Sequence, residues 1–205
     1  MITDAFVHLK ARTFNHPQYW TNHSIAMINS GVIRHGIMPR REKHYNITYA
    51  DVRKALPYDN NLVTITVSGK IVLQMLEHSI SWSNTSHKGE FLQFSGVRVV
   101  YDYSQQVGQR VVRVRVRCAR CSVPKYEDLD EKAMYNILTL DFLAQGGDGF
   151  WMLKNSRIDR SFVDETDFYI LLDYLRFHKV VSPAVDERII VLNDKRNESR
   201  SSKGR

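Results

Sequence analysis

The chain has 205 residues, of which 43% are hydrophobic, so it can bury the core of one sizeable domain and is not expected to be disordered. Lys and Arg number 29 against 22 Asp and Glu, and the net charge of +7 favours anionic partners such as phosphates, with simple solubility as the alternative. The sequence lacks both an apolar run of the roughly 20 residues that a membrane span needs and a recognisable signal peptide at its start.

The predicted elements mix strands and helices without strict alternation, which indicates an α+β fold over residues 1–192. Thr48 is the expected N-cap of a helix, Asp51 completes its capping box, and Pro57 is expected to stop it. Residues 193–205 are predicted to form a disordered basic tail without the hydrophobic segment of a lipid-anchor signal. In chain order we predict a strand at 24–28, a turn at 29–31, a helix at 48–56, a strand at 62–67, a helix at 70–80, strands at 91–101, 110–117 and 136–142, a helix at 167–178 and a strand at 188–192.

Valine and arginine alternate along the strand predicted at 110–117. The pattern favours a sheet with one buried face and one solvated face. The alternative is a stripe for nucleic acid or glycan formed by Arg113, Arg115 and Arg117, whose binding would weaken steeply with salt. No recognised nucleic-acid motif accompanies the stripe, so we expect no nucleic-acid partner.

Two cysteines, Cys118 and Cys121, follow this strand in the string CARC. The spacing is that of a redox motif, half a zinc site or a short local disulfide, and two inert thiols are a fourth alternative. A redox motif is expected at a helix N-terminus and a zinc site needs a second ligand pair, so we favour the disulfide. An extracellular context is also favoured by the glycosylation sequons, which start at Asn22, Asn46, Asn84 and Asn197.

Three strings contain groups that could bind a ligand. In NSGVIR, Asn29 can donate and accept hydrogen bonds and Arg34 can bind a phosphate, although an ordinary turn would look the same. In LPYDNN, Tyr58 stands on a loop where its ring could stack on a base, or could instead cover the core. In LTLDFLAQGGDGFWML, Phe142 is expected at a strand end, and Asp148 among glycines could bind a vicinal diol or simply be a turn residue.

The histidines are scattered, without the carboxylate spacing that a two-metal phosphatase needs. We therefore interpret them as surface or helix-capping groups and expect no catalytic centre and no metal in this chain. They include His16, His23, His35, His44, His78, His87 and His178.

The strings DAFV, MINSGVIR, ITYADVRKALPY, LEHSI, GEFLQFSGVRVVYD, GQRVV, CARCSVPKY and FLAQGGDGF occur in one order from about Asp4 to about Ile190. In this order the chain resembles the C-terminal nucleotide-binding domain of animal ecto-5′-nucleotidases, including salivary apyrase-like relatives. The resemblance implies an N-terminal metallophosphoesterase domain, with two zinc-like metal ions and a catalytic His–Asp pair, that this chain lacks. It also implies an extracellular or cell-surface parent, whose signal would lie on the missing half, and possible homodimers.

The resemblance further implies how a nucleoside 5′-monophosphate, with AMP as the expected substrate, would be bound. The base would lie between two aromatic rings and Asp148 would bind the ribose. The implied substrate-binding residues are Asn29, Arg34, Tyr58, Gly89, Phe142 and Asp148, and the family's short disulfide falls on Cys118 and Cys121.

The chain departs from the family pattern near the expected base site. Asp59 and Asn60 replace a Gly-Gly pair, Asp141 replaces an Asn, and a further substrate-binding Arg would lie upstream of Met1. We therefore expect weaker nucleotide binding and no hydrolysis by this chain alone. The expected function is the substrate-binding part of a 5′-nucleotidase, and the alternative is a non-catalytic secreted protein that binds nucleotides or opposes haemostasis.

Overall fold

A computed structural model describes residues 1–37, 45–81, 89–154 and 159–193. Asn84, Asn197, His44, His87 and all but the first residue of the predicted tail lie outside these ranges. The helices are α1 Ile2–Thr13, α2 Tyr49–Ala55, α3 Gly69–Ser79, α4 Asp141–Ala144, α5 Trp151–Lys154 and α6 Asp167–His178. The strands are β1 Ile25–Asn29, β2 Asn61–Ser68, β3 Leu92–Ser95, β4 Val97–Asp102, β5 Val111–Arg117, β6 Tyr126–Asp128, β7 Met134–Leu140, β8 Asp159–Thr166 and β9 Ile189–Leu192.

The strands form two sheets. The first has the order β3-β1-β7-β2-β8, in which β1 runs parallel to β7 and the other pairs are antiparallel. The second has the order β6-β5-β4-β9, in which β4 runs parallel to β9 and the other described pairs are antiparallel. This architecture confirms the predicted α+β class.

The inner strands of the first sheet are buried on both faces. Ile25 and Met27 of β1 belong to a core cluster that includes α3 and the second sheet, whereas Ala26 and Ile28 belong to a cluster with α1, α2 and α6. Successive side chains of a strand point to opposite faces, so a strand between two cores is apolar throughout. This explains why all five residues of β1 are buried.

One predicted strand, 91–101, is wrong as a single element, because it is two strands in different sheets. Gly96 separates β3 from β4 with a φ of 76°, and a Cβ at this position would collide with the backbone oxygen of Ser24. Only glycine combines that φ with this close approach, so it lets the chain pass from one sheet to the other.

A second correction concerns Phe142, which was expected at a strand end. Strand β7 ends at Leu140, and Phe142 lies in the short helix α4 that follows at once.

Several local predictions are confirmed. Thr48 caps α2: its Oγ1 accepts a hydrogen bond from the Asp51 N–H, and the Asp51 carboxylate accepts one from the Thr48 N–H, which completes the capping box. Cys118 and Cys121 form a disulfide with their Cα atoms 6.1 Å apart.

The arginines of β5 behave as the sheet interpretation requires. Val114 and Val116 are buried, whereas Arg113 is exposed and forms an ion pair with Asp128 at 3.0 Å. Arg117 lies over the ring of Trp20, with its guanidinium carbon 4.8 Å from the ring centroid. The three arginines therefore do not present one continuous free stripe.

Candidate functional site

The topology of the first sheet brings distant parts of the chain to one edge. Strands β1 and β7 are parallel, so their C-terminal ends meet, and β2 is antiparallel to β7, so its first residues lie at the same edge. Asn29 ends β1, Tyr58 precedes β2, and the Phe142 to Asp148 segment follows β7. Residues more than 100 positions apart in sequence are thereby placed side by side.

At this edge Asn29 binds Asp148 directly. Asn29 is 2% exposed, and its Nδ2 donates a hydrogen bond of 2.5 Å to Oδ2 of Asp148. Its Oδ1 is buried without a hydrogen-bond partner among the described residues. The Gly31 N–H donates to the Gly89 oxygen at 3.0 Å, and a Cβ on Gly89 would lie 3.4 Å from Oδ2 of Asp148. Two glycines thus keep the space around this amide–carboxylate pair open.

Asp148 sits on a tight turn that α3 supports. Its backbone is left-handed, with φ 49° and ψ 30°, a conformation that Asp tolerates better than most residues. Nε2 of His78 donates a 2.8 Å hydrogen bond to the backbone oxygen of Asp148. The His78 ring also packs at 77° on the fully buried ring of Phe150, with centroids 4.6 Å apart. The end of α3 therefore fixes the position of this turn through His78.

This contact corrects part of the interpretation of the histidines. His78 is half-buried and bonds to another segment rather than capping its own helix. His23 is only 8% exposed, and burial lowers its pKa to about 4. Neither is a surface group.

Tyr58 and Phe142 line one open cleft beside this turn. Tyr58 is 57% exposed and Phe142 is 48% exposed, so neither ring is a lid over the core. The cleft has a volume of about 580 Å³. Its other lining residues are Asp59, Asn60, Asn61, Asp141, Gln145, Gly146 and Gly147.

Gly147 and Arg34 connect the rings to the rest of the site. A Cβ on Gly147 would lie 2.5 Å from the Phe142 ring, so the backbone of the glycine turn packs closely against that ring. The guanidinium carbon of Arg34 lies 5.9 Å from the centroid of the Tyr58 ring, and its Nη1 donates to the Gly31 oxygen at 3.2 Å. The structure thus brings all six residues singled out from the sequence to one end of the first sheet, where Gly31 links Arg34 to Gly89 and Gly147 packs on Phe142.

Some lining and supporting residues were not identified from the sequence. Gln145, whose Nε2 donates to Oδ2 of Asp141, stands in a string in which the sequence points only to Phe142, the glycines and Asp148. Asn61 appears only as the last letter of LPYDNN. His78 lies in the string LEHSI, but nothing in that string indicates that its ring contacts residue 148.

Within the described ranges, no group of three or more His, Cys, Asp or Glu residues is placed to hold a metal ion. No catalytic step is therefore assigned to the described residues. Among the helices described, none is both long and apolar enough to cross a membrane.

Comparison with known proteins gives one consistent family. Residues 1–155 match the model of the 5′-nucleotidase C-terminal domain. An apyrase of Tabanus yao is 35% identical over 192 residues, which are 93% of this chain and 33% of the relative. The 5′-nucleotidase of Homo sapiens is 34% identical over 189 residues, which are 92% of this chain and 32% of the relative.

A solved structure agrees with the sequence comparisons. The crystal structure of a 5′-nucleotidase precursor from Thermus thermophilus superposes with a TM-score of 0.80 at 36% identity. The match covers 94% of this chain and 34% of that chain, so the present chain spans about a third of the length of these relatives. The chain belongs to the 5′-nucleotidase C-terminal domain family.

Proposed function

We propose that the cleft at the edge of the first sheet binds the nucleoside part of a nucleoside 5′-monophosphate, with AMP as the reference ligand. On this proposal the chain is the substrate-binding part of a 5′-nucleotidase, and a metallophosphoesterase domain supplies the two metal ions and the acid–base groups. The observation that carries the proposal is the pair of half-exposed rings, Tyr58 and Phe142, which line one cleft together with Gly147, the residue before Asp148.

The base would stack between Tyr58 and Phe142. Stacking a base on an aromatic side chain contributes about 1–3 kcal/mol, and every base has a face that can stack. The open cleft of about 580 Å³ has room for this, and the close packing of Gly147 on Phe142 fixes the position of one ring. Stacking alone tolerates different bases, so base preference would depend on the polar groups of the lining, such as Asn61 and Gln145.

The ribose would bind Asp148. A carboxylate has about four lone-pair sites, and the Asn29 amide uses one of them at Oδ2, so acceptor positions remain for a vicinal diol. The buried Oδ1 of Asn29, which has no partner within the described structure, is an additional acceptor beside it. Arg34, exposed at the rim, would neutralise phosphate charge.

We also propose that the parent protein is secreted or held at the cell surface and carries N-linked glycans. Asn46 is exposed and stands in a sequon, and the chain contains a disulfide, as extracellular proteins often do. Relatives include a snake venom 5′-nucleotidase of Naja atra, which is 36% identical over 194 residues.

Isothermal titration of the purified chain with adenosine, AMP and ribose 5-phosphate tests the binding site. We expect saturable binding of adenosine and AMP, and much weaker binding of ribose 5-phosphate, which has no base to stack. Tyr58→Ala should weaken adenosine binding roughly 5- to 150-fold, the range that corresponds to the loss of one stacking ring.

Tyr169→Ala is the matched control, because Tyr169 is an equally exposed tyrosine, at 54% against 57% for Tyr58, and does not line the cleft. This variant should bind adenosine like the wild type. Absence of binding heat with both adenosine and AMP would refute the proposed function. Equal losses in the two tyrosine variants would refute the assignment of Tyr58.

A further inference from the structure

The ring of Tyr58 stands on the short loop between α2 and β2. Because the ring is 57% exposed, packing against the core does little to orient it. Its position depends on how the two ends of the loop are held. Leu56, which is 1% exposed, fixes the first end in the core, and Asn60 forms the second end just before β2.

Asn60 is bound by a single buried carboxylate, that of Asp167, the first residue of α6. The backbone N–H of Asn60 donates to Oδ1 of Asp167 at 3.0 Å, and Nδ2 of Asn60 donates to Oδ2 at 2.8 Å. The Asp167 N–H donates back to the Asn60 oxygen at 3.0 Å. Three hydrogen bonds therefore join the end of the Tyr58 loop to a residue 107 positions away in sequence.

The carboxylate of Asp167 is buried, which makes its charged form energetically costly. The residue is 0% exposed, and burial raises its pKa, although hydrogen bonds from Asn60 and from the Phe168 N–H oppose that rise. A buried carboxylate is costly unless its oxygens accept hydrogen bonds. Here both oxygens do, and Asn60 provides a donor for each of them. The arrangement is suited to fixing Asn60 in one position.

Asp59, the residue between Tyr58 and Asn60, is also held near the start of α6. Asp59 has a φ of 51°, and its Oδ2 accepts a 2.6 Å ion-paired hydrogen bond from Nη1 of Arg53. The guanidinium carbon of Arg53 lies 3.6 Å from the ring centroid of Phe168. Both residues that follow Tyr58 are thus held against the start of α6, directly or through Arg53.

We propose that Asp167 is a positioning residue that holds the Tyr58 loop in its ligand-binding conformation, although it does not line the cleft itself. This inference deepens the proposed function and rests on it. Asp167 acts by removing conformational freedom from the loop before the ligand arrives, so that binding does not have to order it.

Asp167→Asn tests the inference with almost no change in volume. Both oxygens of Asp167 face donors of Asn60, so either orientation of the new amide places an NH₂ group against a donor. The freed loop must then be ordered on binding, and we expect the Kd for adenosine to rise about 2- to 12-fold, the cost of fixing about one side chain.

Asp173→Asn is the matched control. It is the same substitution on the same helix, at a side chain that is 45% exposed and pairs with Arg12 on the surface. It should leave adenosine binding unchanged. A Kd for Asp167→Asn within error of the wild-type value would overturn the inference.

A double-mutant cycle separates positioning from general damage. If Asp167 acts through Tyr58, Asp167→Asn should have almost no further effect on adenosine binding in a Tyr58→Ala background. If the two losses multiply, Asp167 does not act through that ring and the inference is wrong. Should Asp167→Asn fail to fold, as thermal unfolding would reveal, Asn60→Ala removes the same side-chain hydrogen bond. Because Asn60 itself lines the cleft, this variant replaces Asp167→Asn only in the ligand-free hydrogen-exchange measurement described next, where unchanged exchange would overturn the inference.

Hydrogen exchange measured by mass spectrometry tests the loop without a ligand. Peptides that contain residues 57–61 should exchange faster in Asp167→Asn than in the wild type and in Asp173→Asn. Unchanged exchange would overturn the positioning role even if adenosine binds. If the wild type binds no adenosine, the proposed function fails, and the exchange data still decide whether Asp167 holds the loop.

Discussion

Replacing Gly147 by alanine moves one ring of the proposed stack without touching the ring itself. The added Cβ would lie 2.5, 2.5 and 2.7 Å from Cε1, Cζ and Cδ1 of Phe142. Carbon atoms approach to about 3.5–4.0 Å, so the ring must retreat by about 1 Å. Gly147 does not have a positive φ, so alanine adds no backbone strain at this position.

The change should affect binding more than stability. Phe142 is 48% exposed and can shift toward solvent, so the free energy of unfolding should change by less than about 1 kcal/mol. A displaced ring loses part of a stacking contact of about 1–3 kcal/mol. We therefore expect a loss of about 1 kcal/mol in adenosine binding, which is roughly a fivefold rise in Kd.

Calorimetric titration with adenosine measures the loss of binding, and denaturant unfolding measures the change in stability. The control variant Gly108→Ala should give the opposite pattern. Gly108 has a φ of 88° and nothing within 4 Å of an added Cβ. Alanine there should cost about 1–2 kcal/mol of stability and leave binding unchanged. Wild-type affinity in Gly147→Ala, with wild-type stability, would refute the placement of Phe142 in the stack.

Three further predictions concern the ribose contact, the core and the response to acid. Asp148→Asn should weaken adenosine binding roughly 10- to 150-fold but not the binding of free adenine, because a hydrogen bond to a charged group contributes about 1.5–3 kcal/mol; calorimetry with both ligands checks this, and equal losses would contradict a ribose contact. Phe150→Ala should lower the free energy of unfolding by about 3–5 kcal/mol, because the ring is 0% exposed; urea unfolding that shows less than about 1 kcal/mol would contradict its role in the core. His23 has a folded pKa of about 4 because it is buried, below the unfolded value of 6.5, so the unfolded chain binds more protons between these values and stability falls as the pH drops through that window. Between pH 7 and 4 the free energy of unfolding should fall by about 1–2 kcal/mol, less than the pKa shift of His23 gives in full, because residual solvent reaches the ring. Urea unfolding across this pH range should show the fall in the wild type and not in a His23→Gln variant.

Elements with strong local signals could be predicted from the sequence. The capping box of Thr48 and Asp51 and the helix predicted at 167–178 depend on residues only three or four positions apart, and both are confirmed. Helix α1 was missed because Ala5, Phe6 and Val7 are consecutive buried residues, which hides the helical period. Strand β8 was missed because it is a polar edge strand that obtains its order from pairing with β2.

The residues of the candidate site could be proposed from the sequence, but the contacts that hold them in place could not. Each motif alone had an ordinary structural explanation, and only their joint order along the chain indicated a nucleotide site. The contacts that hold the site depend on the tertiary fold: His78 reaches the turn of Asp148 across 70 positions, and Asp167 reaches Asn60 across 107. No local pattern encodes such pairs, because strand topology brings them together.

Proton NMR of adenosine titrated with the chain tests the central claim most directly. A base held between two aromatic rings experiences the ring currents of both, so the H2 and H8 signals of bound adenine should move upfield. The upfield shift should be smaller in Phe142→Ala and in Tyr58→Ala, and unchanged in Tyr169→Ala. Binding of adenosine without an upfield shift of the base protons would contradict the stacking site.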